Sequence, residues 1–229
     1  MIIECSGLPG CGKTTLARRI QEELRASSIP CVWLNAPGGL RRALKLAGST
    51  VLLLRPRNLS FAAALLGLFR RQKGPGSWSR VQIEKIRRLC VLQDTYRRWA
   101  GKRGCVLLCD QGIIQDTVAL FRDTIFPAKE QMEPLRRMFA GMAKDLLLLY
   151  CHIPPKTAAA RAESRGRRAC GLDFYTGEQL ARFLEREGPL LAQAREGLAA
   201  GLPHMDLNME DPVEKNAQIV MDRLRKILR

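Results

Sequence analysis

The sequence predicts an α/β fold around a parallel sheet, and three observations carry that expectation. A short, mostly apolar run, Ile2-Ile3-Glu4-Cys5, leads straight into a glycine-rich turn. A segment with helical spacing at Leu16, Ile20 and Leu24 follows it. Further apolar runs at residues 31–34, 105–109, 146–150 and 204–207 lie far enough apart for crossover helices to return each strand parallel to the first.

The turn at residues 7–15 reads GLPGCGKTT and matches G-x-x-x-x-G-K-[ST] at Gly7, Gly12, Lys13 and Thr14. Strand, glycine loop and helix in that order form the context in which this pattern holds phosphate. Backbone N–H groups from Gly7 through Gly10, Cys11 and Gly12 and the positive end of the helix face phosphate oxygens. Lys13 reaches between the β- and γ-phosphates, Thr14 offers a hydroxyl to Mg²⁺, and Thr15 touches the α-phosphate. Cys11 is expected to be a reactive thiol if exposed, since the helix N-terminus and Lys13 both favour thiolate.

After the second strand, Asn35-Ala36-Pro37-Gly38-Gly39 makes a sharp loop. Residues 36–100 lack a clean αβ repeat and read as an acceptor-side helical insert or cap within one domain spanning 1–229. Short helices are expected at 40–46 and 59–69, then a long helix from about residue 77 with Val81, Ile83, Ile86, Leu89, Cys90 and Tyr96 at largely helical spacing. The run 105–109 (CVLLC) is nearly uniformly apolar and ends at Asp110, as strands covered on both faces do. Helices follow at 114–121 and 134–143, then the strand 146–150. Pro154-Pro155 opens a helix that runs into the basic stretch RAESRGRR at 161–168. A long charged helix at 177–194, a weak strand and a terminal helix after Asp211-Pro212 complete the chain.

Phosphoryl transfer asks the protein for charge neutralisation and in-line positioning. Asp110, at the C-terminal edge of a strand, either orients Mg²⁺ through water or accepts the proton of an acceptor hydroxyl; the alternative is a structural acid capping the next helix. Arg161 and Arg165 are four apart and share a helix face, while Gly166 presents Arg167 and Arg168 separately. Residues 161–172 therefore read as an arginine-bearing lid that closes over a triphosphate, Arg161 and Arg165 stabilising transferring charge and Arg167 touching the donor. On the acceptor side, Arg87 or Arg88 faces an acceptor phosphate if the long helix crosses the pocket, and Gln111 and Gln115 offer amide contacts. Asp116 reads as a local cap or pair. Trp33, Trp78 and Trp99 read as packing.

Composition bounds the partners. The chain has 229 residues, and 38 Lys and Arg against 22 Asp and Glu give +16. Such a surface attracts nucleotides, nucleic acid, anionic lipid or acidic carriers. No recognised nucleic-acid module accompanies the loop and the basic residues are spread widely, so no stable nucleic-acid partner is expected. Eight cysteines without a Cys-x-x-Cys pair fit reduced thiols, and two histidines offer little to a zinc site. The absence of a signal-like opening points to a cytoplasmic protein. Residues 51–69 form the most apolar long stretch, but Arg55, Arg57 and Asn58 interrupt it, so no transmembrane segment is expected. Core packing and a peripheral membrane contact through 61–69 are both open to it, as is a homodimer contact through the insert.

These motifs resemble the P-loop nucleoside and nucleotide kinases, nearest in layout to the thymidylate-kinase-like group. The resemblance rests on ECSGLPGCGKTTLARRI, CVLLCDQG, KDLLLLYCHIPPKTAAARAESRGRR and DPVEKNAQIVMDRL. It implies a P-loop kinase three-layer sandwich with a five-stranded parallel sheet in the order 2-3-1-4-5, ATP or another nucleoside triphosphate as donor, and Mg²⁺. It also implies that Lys13, Thr14, Asp110, Arg161 and Arg165 inherit the principal roles. Thymidylate kinases commonly carry Asp-Arg where this chain has Asp110-Gln111. The expected activity is therefore ATP- and Mg²⁺-dependent transfer to a small hydroxylated or phosphorylated acceptor, a nucleoside or nucleotide ahead of another metabolite or an antibiotic. The competing reading is an NTP-dependent regulatory or nucleic-acid-associated binding protein.

Overall fold

The computed structural model describes residues 1–34, 55–73, 80–164 and 175–228. The first strand, β1 (Ile2–Gly7), is buried along its whole length and stands at the centre of the sheet. The strands β2 (Cys31–Trp33), β3 (Val106–Cys109), β4 (Leu146–His152) and β5 (His204–Asn208) join it in the order β2-β3-β1-β4-β5. Every pairing is parallel: Ile2 lies beside both Leu107 and Leu146, Trp33 beside Leu108, and Leu149 beside Met205. The uniform Leu146-Leu147-Leu148-Leu149 run follows from this position, since helices cover both faces of the sheet there.

On one face, α1 (Lys13–Ala26) buries Leu16, Ala17, Ile20 and Leu24 and packs against the terminal helix α8 (Val213–Leu228). On the other, α4 (Ile113–Phe121) packs between α3 (Arg80–Trp99) and α7 (Gly177–Ala199), and α2 (Pro56–Lys73) leans on α3. A short 3₁₀ turn (Lys129–Met132), α5 (Glu133–Ala140) and α6 (Pro155–Glu163) complete the described elements that position the site.

Helix α4 is buried on nearly every side, including Gln115, Asp116 and Thr117, which the helical spacing alone does not announce. Phe61, Leu65, Leu68 and Phe69 of α2 belong to the same core as Leu89, Leu92 and Tyr96 of α3. Phe61, Leu65, Leu68 and Phe69 are thus spent on packing, as the core-packing reading expected, and no described helix is long and apolar enough to cross a bilayer. Helix α7 continues five residues past the expected end at 194, to Ala199, because Leu198 and Ala199 are buried against the core. The expected helix at 40–46, much of the insert, Arg165, Arg167 and most of the lid lie outside the described residues.

Candidate active site at the end of the central strand

Strand β1 delivers its last residue, Gly7, into a loop that returns on itself through a Cys11 N–H bond to the Leu8 carbonyl (3.2 Å). Glycine is required here for two reasons. Gly10 and Gly12 hold φ of 87° and 100°, the left-handed region. A Cβ on Gly7 would lie 2.5 Å from the Cys151 carbonyl oxygen, and one on Gly10 would lie 2.2 Å from that of Ala158. The loop is therefore wedged against β4 and α6 by bare backbone. Gly12 is the N-cap of α1, no side chain caps it, and the first turn carries no acid, so the positive helix end is left without an internal anion.

Lys13 folds over this loop, its Nζ donating to the carbonyls of Gly7 (2.8 Å) and Leu8 (2.9 Å). Its Nζ also lies 3.6 Å from the Cys11 thiol. Cys11 itself is fully buried, so the condition for a reactive thiol is not met. A hydrogen bond with Cys151 and then burial push its thiol well above the usual range. Thr15 is exposed at the helix start.

The expected meeting of Thr14 and Asp110 is present across 96 residues of sequence: the Thr14 hydroxyl donates to Asp110 Oδ2 at 2.8 Å. The indole N–H of Trp33, on β2, donates to Oδ1 at 3.2 Å. Trp33 is thus a polar partner of the acid as well as a packing residue, a role its sequence context did not reveal. Asp110 does not cap α4, whose N-cap is Gly112. Two hard oxygens converging beside a phosphate-type loop suit Mg²⁺, which takes few protein ligands and completes its shell with water and phosphate. No cluster of three or more metal-ligating His, Cys, Asp or Glu side chains occurs among the described residues, as that mode of binding requires none.

The acceptor-side candidates gather between α3 and α4. Arg88 places Nε 2.5 Å from Asp116 Oδ2, and its Nη2 donates to the Gln111 carbonyl at 3.3 Å. Lys85 lies 3.2 Å from Asp116 Oδ1. Asp116 has no solvent exposure; burial raises its carboxyl above the usual range, with Arg88 and Lys85 pulling it back. It pairs across helices, where the sequence suggested only a local cap or pair. Gln115 is buried and its Oε1 has no hydrogen-bond partner. Arg87 pairs with Glu84 on its own helix and does not join the Asp116 cluster. Arg161, in the last turn of α6, donates to the Met209 carbonyl at 2.8 Å and so lies against the loop between β5 and α8.

Two further groups escaped the sequence reading. Arg195 of α7 donates to the Ser6 carbonyl (2.9 Å), just before the loop, and its guanidinium stacks 4.4 Å over the Tyr150 ring. Glu4, within β1, is fully buried and its carboxyl is raised to about 7, chiefly by burial. A charged residue inside an apolar strand was the available signal.

The same fold occurs in solved kinase structures at low identity. A deoxyadenosine kinase from M. mycoides with the products dCMP and a flexible dCDP bound matches with a TM-score of 0.56 and 14% identity, covering 99% of this chain and 100% of that one. The M. mycoides enzyme with dATP bound gives 0.55 and 15%, over 98% of this chain and 100% of that chain. The YorR protein from Bacillus subtilis, in complex with phosphorylated GDP, gives 0.53 and 14%, over 98% and 96%. No protein-family model matches the sequence, and no curated protein is similar to it.

Proposed function

We propose that the chain is an ATP-dependent phosphotransferase acting on a nucleoside or nucleotide. The observation that carries this reading is the convergence of Lys13, Thr14 and Asp110 at the open end of α1, where backbone N–H groups and an uncapped helix end favour a phosphate chain. Binding draws Lys13 from the carbonyls of Gly7 and Leu8 onto the phosphates, where its charge is better matched. Thr14 and Asp110 would hold Mg²⁺, which when bound neutralises charge on the β- and γ-phosphates. Both oxygens of Asp110 accept hydrogen bonds on the donor side, which supports that role over proton abstraction from the acceptor.

The acceptor lies against α3 and α4. Arg88 braces the backbone at Gln111, and the unpartnered Gln115 Oε1 waits for a donor from the bound molecule. A base or sugar offers such donors, and the deoxynucleotides bound to the M. mycoides kinase support that class of acceptor. Arg161 and Arg165 are the proposed lid groups that stabilise the moving charge, with Arg167 against the donor. The thymidylate-kinase-like grouping belongs to this proposal as a layout only, since Gln111 replaces the arginine of those enzymes.

The test is incubation of the purified protein with γ-labelled ATP and a metabolite pool, with mass identification of the labelled product. A labelled nucleoside monophosphate or nucleoside diphosphate is expected, and Lys13→Ala is expected to remove transfer by about a thousandfold without unfolding the chain. A labelled sugar or antibiotic would move the acceptor to the other metabolite class. Turnover that requires RNA or DNA would overturn the reading.

A further inference from the structure

The buried Glu4 has no place in the donor or acceptor contacts, yet two helices and the turn between β3 and α4 converge on it. Its Oε2 accepts from the Tyr96 hydroxyl of α3 at 2.7 Å, and its Oε1 accepts from the Ile114 N–H in the first turn of α4 at 2.9 Å. Gly112 lies so close that a Cβ there would be 2.1 Å from the Glu4 carboxyl carbon, although its φ of −113° is open to any residue. Helix α4 has no side-chain cap of its own. An acid 110 residues earlier in the chain supplies that cap from the central strand. Free N–H groups at a helix start hold an anion well, and holding it here fixes the chain immediately before the helix.

That chain is Asp110-Gln111-Gly112. We propose that Glu4 is a positioning residue: by clamping the first turn of α4, its carboxylate sets the Asp110 loop in the geometry that phosphoryl transfer uses. The proposal rests on the phosphotransferase reading for its consequence, but the clamp itself has an independent optical reporter, because Asp110 Oδ1 is bonded to the Trp33 indole. A protonated Glu4 must donate where it now accepts, so one of its two contacts weakens and the loop gains freedom. The ionisable groups around it are Tyr96 on α3, Cys109 on β3, Asp116 on α4 and Tyr150 on β4. Burial raises Tyr96, Cys109 and Tyr150, which moves them away from neutral pH, and Asp116 is paired with Lys85 and Arg88.

The experiment follows Trp33 fluorescence against pH in a Trp78→Phe/Trp99→Phe background, with Glu4→Gln and Tyr96→Phe introduced in turn. The parent is expected to show a transition near pH 7, where the Glu4 carboxyl titrates. Glu4→Gln should abolish it. Tyr96→Phe removes a bond that favours the carboxylate, so it should move the midpoint to higher pH, and it serves as the deciding variant if Glu4→Gln does not fold. A transition unchanged in both variants, or none in the parent, overturns the proposal. In parallel, transfer from ATP to deoxyadenosine is expected to be about tenfold slower in Glu4→Gln at pH 8, with little change in KM for ATP, and to converge with the parent at pH 6. A rate ratio independent of pH would mean that Glu4 only supports the fold. Absence of transfer in the parent would count against the kinase reading alone, since the fluorescence titration still decides the clamp.

Discussion

The two walls of the site are built on different principles. The proposed donor wall is backbone: three glycines, a helix end and one lysine, all within residues 7–14, seated against carbonyls of β4 and α6. The proposed acceptor wall is side chain: Asp116, Arg88 and Lys85 come from two helices and meet only in the folded chain. A backbone site tolerates few residues but announces itself in sequence. A side-chain site accepts many solutions, and each member looks ordinary where it stands.

Breaking the donor wall should have the largest effect. Gly10→Ala places a Cβ against the Ala158 carbonyl and forces a left-handed conformation on alanine, and neither strain is relieved by a rotamer change. We expect a loss of stability of about 3 kcal/mol and at least hundredfold weaker ATP binding. Calorimetric unfolding and nucleotide titration measure the two. Ordinary ATP affinity in a folded Gly10→Ala protein would show that the loop is not the donor wall.

The acceptor wall should give way more gently and in a different parameter. Arg88→Met leaves the wholly buried Asp116 with Lys85 as its ion-pair partner, at an expected cost of about 2 kcal/mol in stability. It also removes the Arg88 bond to the Gln111 carbonyl and leaves the one from the Cys109 thiol, so KM for the acceptor should rise while ATP binding stays within about twofold. Because an apolar replacement of a whole buried ion pair is often close to neutral, adding Asp116→Leu to Arg88→Met should restore much of the stability but none of the acceptor affinity. Recovery of both would reduce the cluster to a packing element.

The same contrast explains what could be read from the amino-acid sequence. The parallel sheet was legible in the uniform apolar strands, its order 2-3-1-4-5 only through the family resemblance that the motifs carry, and Thr14 and Asp110 stood out because the loop motif and the strand-end acid are local signals. Trp33 was read as packing because nothing in Cys-Val-Trp says that an indole N–H will meet an acid just past the end of the neighbouring strand, 77 residues later. Asp116 sits in a helix whose neighbours are apolar, and only the packing of α3 across α4 supplies its cations. Glu4 was the one visible anomaly, an acid in a buried strand, but its partners at 96 and 114 are fixed by topology. Helix ends moved for a related reason: Leu198 and Ala199 extend α7 because the core receives them, not because the local composition favours helix.

Trp33→Phe tests whether the donor wall is backbone alone. The ring shape is largely kept, and the change removes the N–H that holds Asp110 Oδ1 while leaving the Thr14 bond to Oδ2. If side-chain positioning contributes, the freed carboxylate samples other rotamers, kcat falls about tenfold, and ATP affinity without Mg²⁺ is unchanged because the loop N–H groups are intact. Stability should fall by about 2 kcal/mol, the usual cost of one hydrogen bond to a charged acceptor. Comparing ATP titrations with and without Mg²⁺ separates the two contributions, since only the Mg²⁺-dependent part passes through Asp110. Equal kcat and equal Mg²⁺ dependence in Trp33→Phe would place the whole donor function in residues 7–14 and leave the indole as packing.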